Sequence, residues 1–90
     1  MKKPPLDLEK MRDVFLREDP MGIYFQDLNN FDEYDPEIKL LLPEIDSCQS
    51  QEILYDTIRR IFLGKFGNVP TYCEEKLHHI SRILFELNAH

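Results

Sequence analysis

Apolar side chains recur at intervals of three and four residues in four stretches of the chain, which is the period of an amphipathic helix. The first stretch predicts a helix over about residues 6–18 that ends at Asp19-Pro20, because proline cannot continue a helix. The second begins at Asp35-Pro36-Glu37, where an acidic cap and an early proline favour a helix start, and runs over about 36–42 until Pro43. The apolar positions of these two helices are Leu8, Met11, Val14, Phe15, Ile38, Leu41 and Leu42.

The third and fourth helices have the longest apolar faces. Ser47 or Ser50 can cap the third helix, and Gly64 and Gly67-Asn68 mark its end. Thr71, with Glu74 three residues later, predicts a capping box for the fourth. Their apolar positions are Leu54, Ile58, Ile61, Phe62, Phe66, Cys73, Leu77, Ile80, Leu84 and Leu87. Since no segment alternates with period two, we expect an all-α bundle of about four helices, the second short, with an ordered acidic loop between Pro20 and Asn30.

The length and composition are those of one ordinary globular domain spanning residues 1–90. The chain is 42% hydrophobic and 31% charged, a balance that does not indicate disorder. Lys2 and Lys3 are followed by no apolar run, so we expect no signal peptide, no membrane span and a cytoplasmic location. Two cysteines, Cys48 and Cys73, are too few for a secreted disulfide framework, and small buried thiols are the favoured interpretation over a disulfide or a reactive thiol.

Negative charge is concentrated in the middle of the chain. The segment 19–46 carries eight acids against one base, Lys39, and therefore has a net charge of −7, whereas the whole chain has −6. The surplus of acids argues against nucleic-acid binding, which needs lysines and arginines to displace counterions. It favours a basic protein partner, because charge of one sign speeds the capture of an oppositely charged surface.

Aromatic residues are interleaved with these acids, and tyrosine is common in the centres of protein interfaces. The acids would meet lysines and arginines of the partner, and the tyrosines would anchor the contact. The sequence therefore predicts a partner-binding surface with no catalytic residues and no cofactor, formed by Tyr24, Asp27, Asp32, Glu33, Tyr34, Asp35 and Glu37.

Other chemistries fit the sequence less well. A calcium loop starting at Asp27 fails because Phe31, Asp32 and Ile38 occupy positions that need an oxygen ligand, glycine and glutamate. Paired carboxylates in a solvated segment lack anything that would separate their pKa values for acid and base catalysis. An alternative is a metal-binding protein or metal-assisted enzyme that uses two interlocked pairs at spacing four on the last helix. These residues are Glu74, Glu75, His78 and His79.

Two short signatures resemble a family of small acidic helical bacterial proteins of uncharacterised function. They are Asp-Pro-x-Gly-Ile-Tyr, from Asp19 to Tyr24, and Glu-Tyr-Asp-Pro-Glu, from Glu33 to Glu37. The resemblance implies a helical fold over about 70 residues and brings no catalytic residues.

In size and charge segregation, the chain is also similar to immunity proteins of bacterial toxin systems. That analogy implies an intracellular monomer that neutralises a basic RNase or DNase toxin in a heterodimer by covering its active site or substrate-binding surface with acidic and aromatic side chains. A small regulatory subunit without a toxin partner is a further alternative.

Overall fold

The computed structural model describes residues 6–22 and 32–88, and these residues form four α-helices with no strand among them. The helices are α1 (Leu8–Glu18), α2 (Asp35–Ile45), α3 (Gln51–Phe66) and α4 (Thr71–Asn88). The all-α bundle predicted from the apolar periodicity is thus confirmed. None of the helices within these residues is long and apolar enough to cross a bilayer.

The helix ends follow local backbone chemistry. The Asp7 carboxylate accepts a hydrogen bond from the Lys10 N–H at 2.9 Å, and the Ser50 hydroxyl accepts one from the Ile53 N–H at 3.2 Å. Each satisfies a backbone donor that the first helical turn leaves without a partner. At the other ends, Asp19 and Gly67 adopt left-handed conformations with φ of 43° and 75°. Of the two serines considered for α3, Ser50 is therefore the cap.

Helix α2 is longer than the sequence predicts, because it continues through Pro43 to Ile45. A proline inside a helix removes the hydrogen bond to the carbonyl four residues earlier and costs about 3 kcal/mol. Ile45 is 4% exposed and extends the buried face of Ile38 and Leu41 by another turn. Burial of a side chain of this size contributes about 1.5–3 kcal/mol, which offsets much of that cost.

The start of α4 also differs from the prediction. Pro70 precedes the first helical residue, and its carbonyl accepts hydrogen bonds from the N–H groups of Cys73 and Glu74 at 2.9 and 3.1 Å. Proline has no N–H for a capping box to satisfy. The Glu74 carboxylate instead pairs with Arg59 on α3. Gly64, expected near the end of α3, lies inside that helix.

The four helices form a ring in chain order, in which α1 packs on α2, α2 on α3, α3 on α4, and α4 on α1. Helices α1 and α3 are diagonal partners, and their side chains meet in the centre, where the Phe15 and Phe62 rings stack with centroids 5.9 Å apart. Cys48 and Cys73 are buried free thiols, as expected. Leu87, predicted to line the core, is instead 42% exposed near the end of α4.

Candidate partner-binding surface

The predicted site residues divide into two groups around the turn that leads into α2. Asp32 and Glu33 are exposed to solvent, whereas Tyr34, Asp35 and Glu37 are 0%, 9% and 2% exposed. Two further members of the predicted surface, Tyr24 and Asp27, lie outside the described residues, as does most of the loop predicted between Pro20 and Asn30. The prediction that all these side chains face a partner is therefore wrong for Tyr34, Asp35 and Glu37, which lie in the interior.

Tyr34 faces inward because both its ring and its hydroxyl have partners inside the protein. The ring lies 5.9 Å from that of Phe15 and 6.1 Å from that of Phe62, within the range of favourable aromatic pairs. The hydroxyl donates a hydrogen bond to the Asp19 carboxylate at 2.6 Å and accepts one from the Met21 N–H at 3.0 Å. Tyr34 therefore ties the end of α1 to the start of α2 and does not serve as an exposed anchor.

Asp35 is the first residue of α2, and Tyr34 occupies the cap position without a side-chain capping hydrogen bond. The predicted role of Asp35 as the cap is therefore wrong. Its two carboxylate oxygens instead accept parallel hydrogen bonds from Nε and Nη2 of Arg12 on α1, the first at 2.9 Å. This hydrogen bonding to Asp35 raises the pKa of Arg12 above its ordinary value. The fork geometry of arginine makes the pair an orientation-specific contact between the two helices.

Glu37 is the least expected of the interior residues. Both carboxylate oxygens are buried, and neither has a hydrogen-bond partner among the described residues. Burial raises the pKa of Glu37, because the charged form loses its hydration, and the dipole of its own backbone N–H and the field of Lys65 on α3 reverse only part of this effect. Nearly all buried carboxylates in proteins are paired, so Glu37 contributes a local destabilisation and not a contact surface.

Three of the four residues of the metal alternative contact three different side chains, and the fourth is exposed. Glu74 accepts hydrogen bonds from Arg59 at 3.1 and 3.0 Å, and His79 Nδ1 lies 2.7 Å from a Glu18 oxygen on α1. The His78 ring stacks on Tyr55, while Glu75 is exposed. Within residues 6–22 and 32–88, no three histidine, cysteine or acidic side chains come together as a metal site. The geometry therefore gives the metal alternative no support.

A groove between α3 and α4 was not predicted from the sequence. It has a volume of about 570 Å³ and is lined by Gln51, Glu52, Tyr55, Asp56 and His78. The short link between α3 and α4 could have indicated the groove, because it makes the two helices antiparallel neighbours. This pairing brings Tyr55 opposite His78 and Arg59 opposite Glu74.

Comparison of the chain with protein-family models, with curated proteins and with solved structures finds no match. Functional inference therefore depends on the geometry and charge described above.

Proposed function

We propose that this domain is an intracellular binding protein for a basic protein, and that it acts as an immunity protein in the cytoplasm by neutralising a nuclease toxin. The observation that carries the proposal is the acidic turn, Asp32 and Glu33, which projects into solvent from the most negatively charged segment of the chain. The resemblance to small acidic helical proteins and to immunity proteins is part of the same proposal.

The acidic turn is held on the side that leads into α2, which supports a binding role. Tyr34 follows it directly and is fixed by its hydrogen bonds to Asp19 and Met21. Asp35 comes next and is fixed by Arg12. A preorganised turn loses less conformational entropy on association than a mobile one, so more of the contact energy appears as affinity. In this proposal Tyr34 and Asp35 position the surface, and Asp32 and Glu33 make the contacts.

A nuclease is the class of partner that this charge fits best. Such an enzyme holds the phosphates of its substrate with lysines and arginines. Carboxylates can pair with the same side chains and exclude the nucleic acid, and arginine binds carboxylate and phosphate with the same fork geometry. Tyr24 and Asp27, which precede the acidic turn in the sequence, are assigned to the same contact surface. Glu37 is assigned no contact with the partner because its carboxylate is buried.

The direct experiment is copurification of the full chain with its partner from the native host, followed by a nuclease assay. We expect a captured protein that is basic, cleaves RNA or DNA when isolated, and loses this activity when the purified domain is added back in equimolar amount. A partner with no nuclease activity, or a nuclease that the domain leaves active, would contradict the immunity assignment.

Association kinetics test the surface assignment separately. With the captured partner at low ionic strength, the double variant Asp32→Asn, Glu33→Gln should reduce the association rate constant roughly three- to tenfold and weaken its salt dependence. The matched control, Glu75→Gln with Glu86→Gln, removes the same charge from exposed positions of α4 and should change the rate less. Equal effects of both pairs would mean that net charge, and not the acidic turn, determines binding.

A further inference from the structure

The groove between α3 and α4 contains two carboxylates that form no ion pair with any other residue that the structure describes. Glu52 and Asp56 are four residues apart on α3, so their side chains lie on adjacent turns of one helix face. No lysine, arginine or histidine within residues 6–22 and 32–88 forms an ion pair with either acid. Like charges at this spacing destabilise a helix by about 0.2–0.5 kcal/mol, a cost that a bound cation would relieve.

The bases that could neutralise Asp56 along its own helix are used elsewhere. Arg59, three residues on, hydrogen-bonds to Glu74 of α4 at 3.0 Å. Arg60, four residues on, reaches Glu44 of α2 at 3.3 Å. Arg59 also interacts with Tyr55 at the edge of the groove, but neither arginine forms an ion pair with Glu52 or Asp56, so both acids can pair with an external cation.

The groove also has a flat aromatic wall. The rings of Tyr55 and His78 are nearly parallel, with an interplanar angle of 5° and centroids 3.6 Å apart. Tyr55 is half-buried against the helix pair, whereas the His78 side chain is exposed. Because the two rings cover each other's inner faces, the exposed ring of His78 is the one that a ligand can reach, and the planar, weakly hydrated guanidinium of arginine stacks on such an aromatic face better than the ammonium of lysine does.

We propose that this groove binds an arginine side chain of a protein partner, with the guanidinium paired to Glu52 and Asp56 and lying against the Tyr55–His78 stack. The volume of about 570 Å³ falls within the range of about 300–1,000 Å³ that is usual for ligand pockets. The two carboxylates repel phosphates, so a nucleotide is disfavoured. The site is separate from the acidic turn and does not depend on the proposed immunity function.

The test uses the full chain and two blocked tripeptides, acetyl-Gly-Arg-Gly-amide and its lysine counterpart. Titration followed by ¹⁵N NMR should give saturable shifts in the amides of residues 51–56 and 78 with the arginine peptide. The lysine peptide should bind at least about fivefold more weakly, because it lacks the planar fork and the stacking face. Absence of saturable shifts in these amides, or equal affinity for the two peptides, would refute the site.

Matched variants separate this site from a general effect of charge. Glu52→Gln with Asp56→Asn should raise the Kd of the arginine peptide about five- to tenfold, as expected for the loss of two exposed ion pairs. Glu9→Gln with Asp13→Asn removes two acids at the same spacing from an exposed face of α1 and should change the Kd less than about twofold. Equal losses in the two double variants would overturn the proposal.

Two further variants test the aromatic wall and the independence of the groove. His78→Leu, at an exposed position, keeps Tyr55 covered but replaces the aromatic face with an aliphatic one, and it should reduce the preference for arginine over lysine. An unchanged preference would rule out stacking in the groove. Asp32→Asn with Glu33→Gln should leave tripeptide binding intact, so failure at the acidic turn and failure at the groove are distinguishable.

Discussion

At the scale of single residues, the segment before α2 shows how a polar side chain can belong to the core. Tyr34 places its ring among aromatic rings of α1 and α3 and keeps its hydroxyl on two hydrogen-bond partners near the end of α1. A phenylalanine would fill the same space but could neither donate to Asp19 nor accept from Met21. The hydroxyl therefore fixes the position of the turn, and the ring contributes the burial.

Tyr34→Phe should accordingly destabilise the domain by about 1–2 kcal/mol, the usual cost of removing a hydrogen-bonding group whose partner is charged or partly buried. Urea unfolding followed by circular dichroism measures this. Tyr72→Phe is the control, because Tyr72 is 63% exposed and its change should stay within about 0.5 kcal/mol. If Tyr34→Phe lowered the free energy of unfolding no more than Tyr72→Phe does, the hydroxyl of Tyr34 would have no structural role.

Glu37 presents the opposite case, an acidic side chain in the interior whose carboxylate oxygens have no hydrogen-bond partner among the described residues. Its folded-state pKa is raised above the ordinary value of about 4.5, chiefly by burial, so the folded protein binds this proton more tightly than the unfolded chain does. The stability associated with this group is therefore fully present below about pH 4.5 and is lost as the pH rises through the folded-state pKa.

Glu37→Met keeps an unbranched side chain and removes the carboxylate. At pH 7 the variant should be more stable than the native protein by on the order of 1 kcal/mol, and the advantage should disappear towards pH 4. Thermal or urea unfolding between pH 4 and pH 7.5 measures the difference. Glu86→Gln, at an exposed position of α4, is the control and should show no comparable gain. A Met variant less stable at pH 7 would mean that the carboxylate has a stabilising role.

At the scale of the helices, α1 and α2 are connected by a specific polar contact in addition to their apolar faces. Arg12 on α1 donates hydrogen bonds to both carboxylate oxygens of Asp35, the first residue of α2. An acid there also suits the positive end of the helix dipole. Because the two parallel hydrogen bonds fix the relative orientation of their groups, this pair sets how α2 begins against α1.

Arg12→Lys should therefore lower the Tm, although the charge is kept, since lysine offers a point charge and cannot reproduce the fork. Differential scanning calorimetry is the measurement. Arg60→Lys is the matched control: Arg60 makes one 3.3 Å contact with Glu44, and both side chains are largely exposed. A drop in Tm for Arg60→Lys as large as that for Arg12→Lys would show that the bidentate geometry does not matter.

At the scale of the whole molecule, a cluster of aromatic rings joins α1, α3 and the turn before α2. Phe62 of α3 lies 5.9 Å from Phe15 of α1, 6.1 Å from Tyr34 before α2, and 5.6 Å from Phe66 one turn along α3. The ring of helices closes around this cluster. Each helix brings its own apolar face, but only the assembled bundle removes Phe62 from water, leaving it 1% exposed.

Phe62→Ala should cost about 3–5 kcal/mol, because it removes a large buried side chain and leaves a cavity. A domain of this size is stable by roughly 5–13 kcal/mol, so the variant should be marginal or unfolded at 37 °C. Equilibrium urea unfolding with circular dichroism detection measures the loss. Leu40→Ala removes an aliphatic side chain that is 59% exposed and should be nearly neutral. A comparable loss at Leu40 would contradict a core centred on Phe62.

The sequence by itself determined that there are four helices, because apolar period, caps and breakers act over one or two turns. The ends of α1 at Asp19 and of α3 at Gly67 were readable in this way, whereas Ser47 and Ser50 were both candidates for the α3 cap. It also determined where the negative charge is concentrated along the chain, since a net charge requires no coordinates.

Only the tertiary structure decided which of those charges face solvent. Asp35 and Glu37 belong to a segment whose charge predicts an exposed surface. In the structure, Asp35 accepts hydrogen bonds from an arginine that is 23 positions away in the sequence, and Glu37 is buried by the packed helices. Pro43 likewise stays inside α2 because Ile45 can be buried beyond it. The groove exists only because α3 and α4 pair with Tyr55 opposite His78. Such outcomes depend on contacts between residues distant in sequence, which local periodicity does not encode.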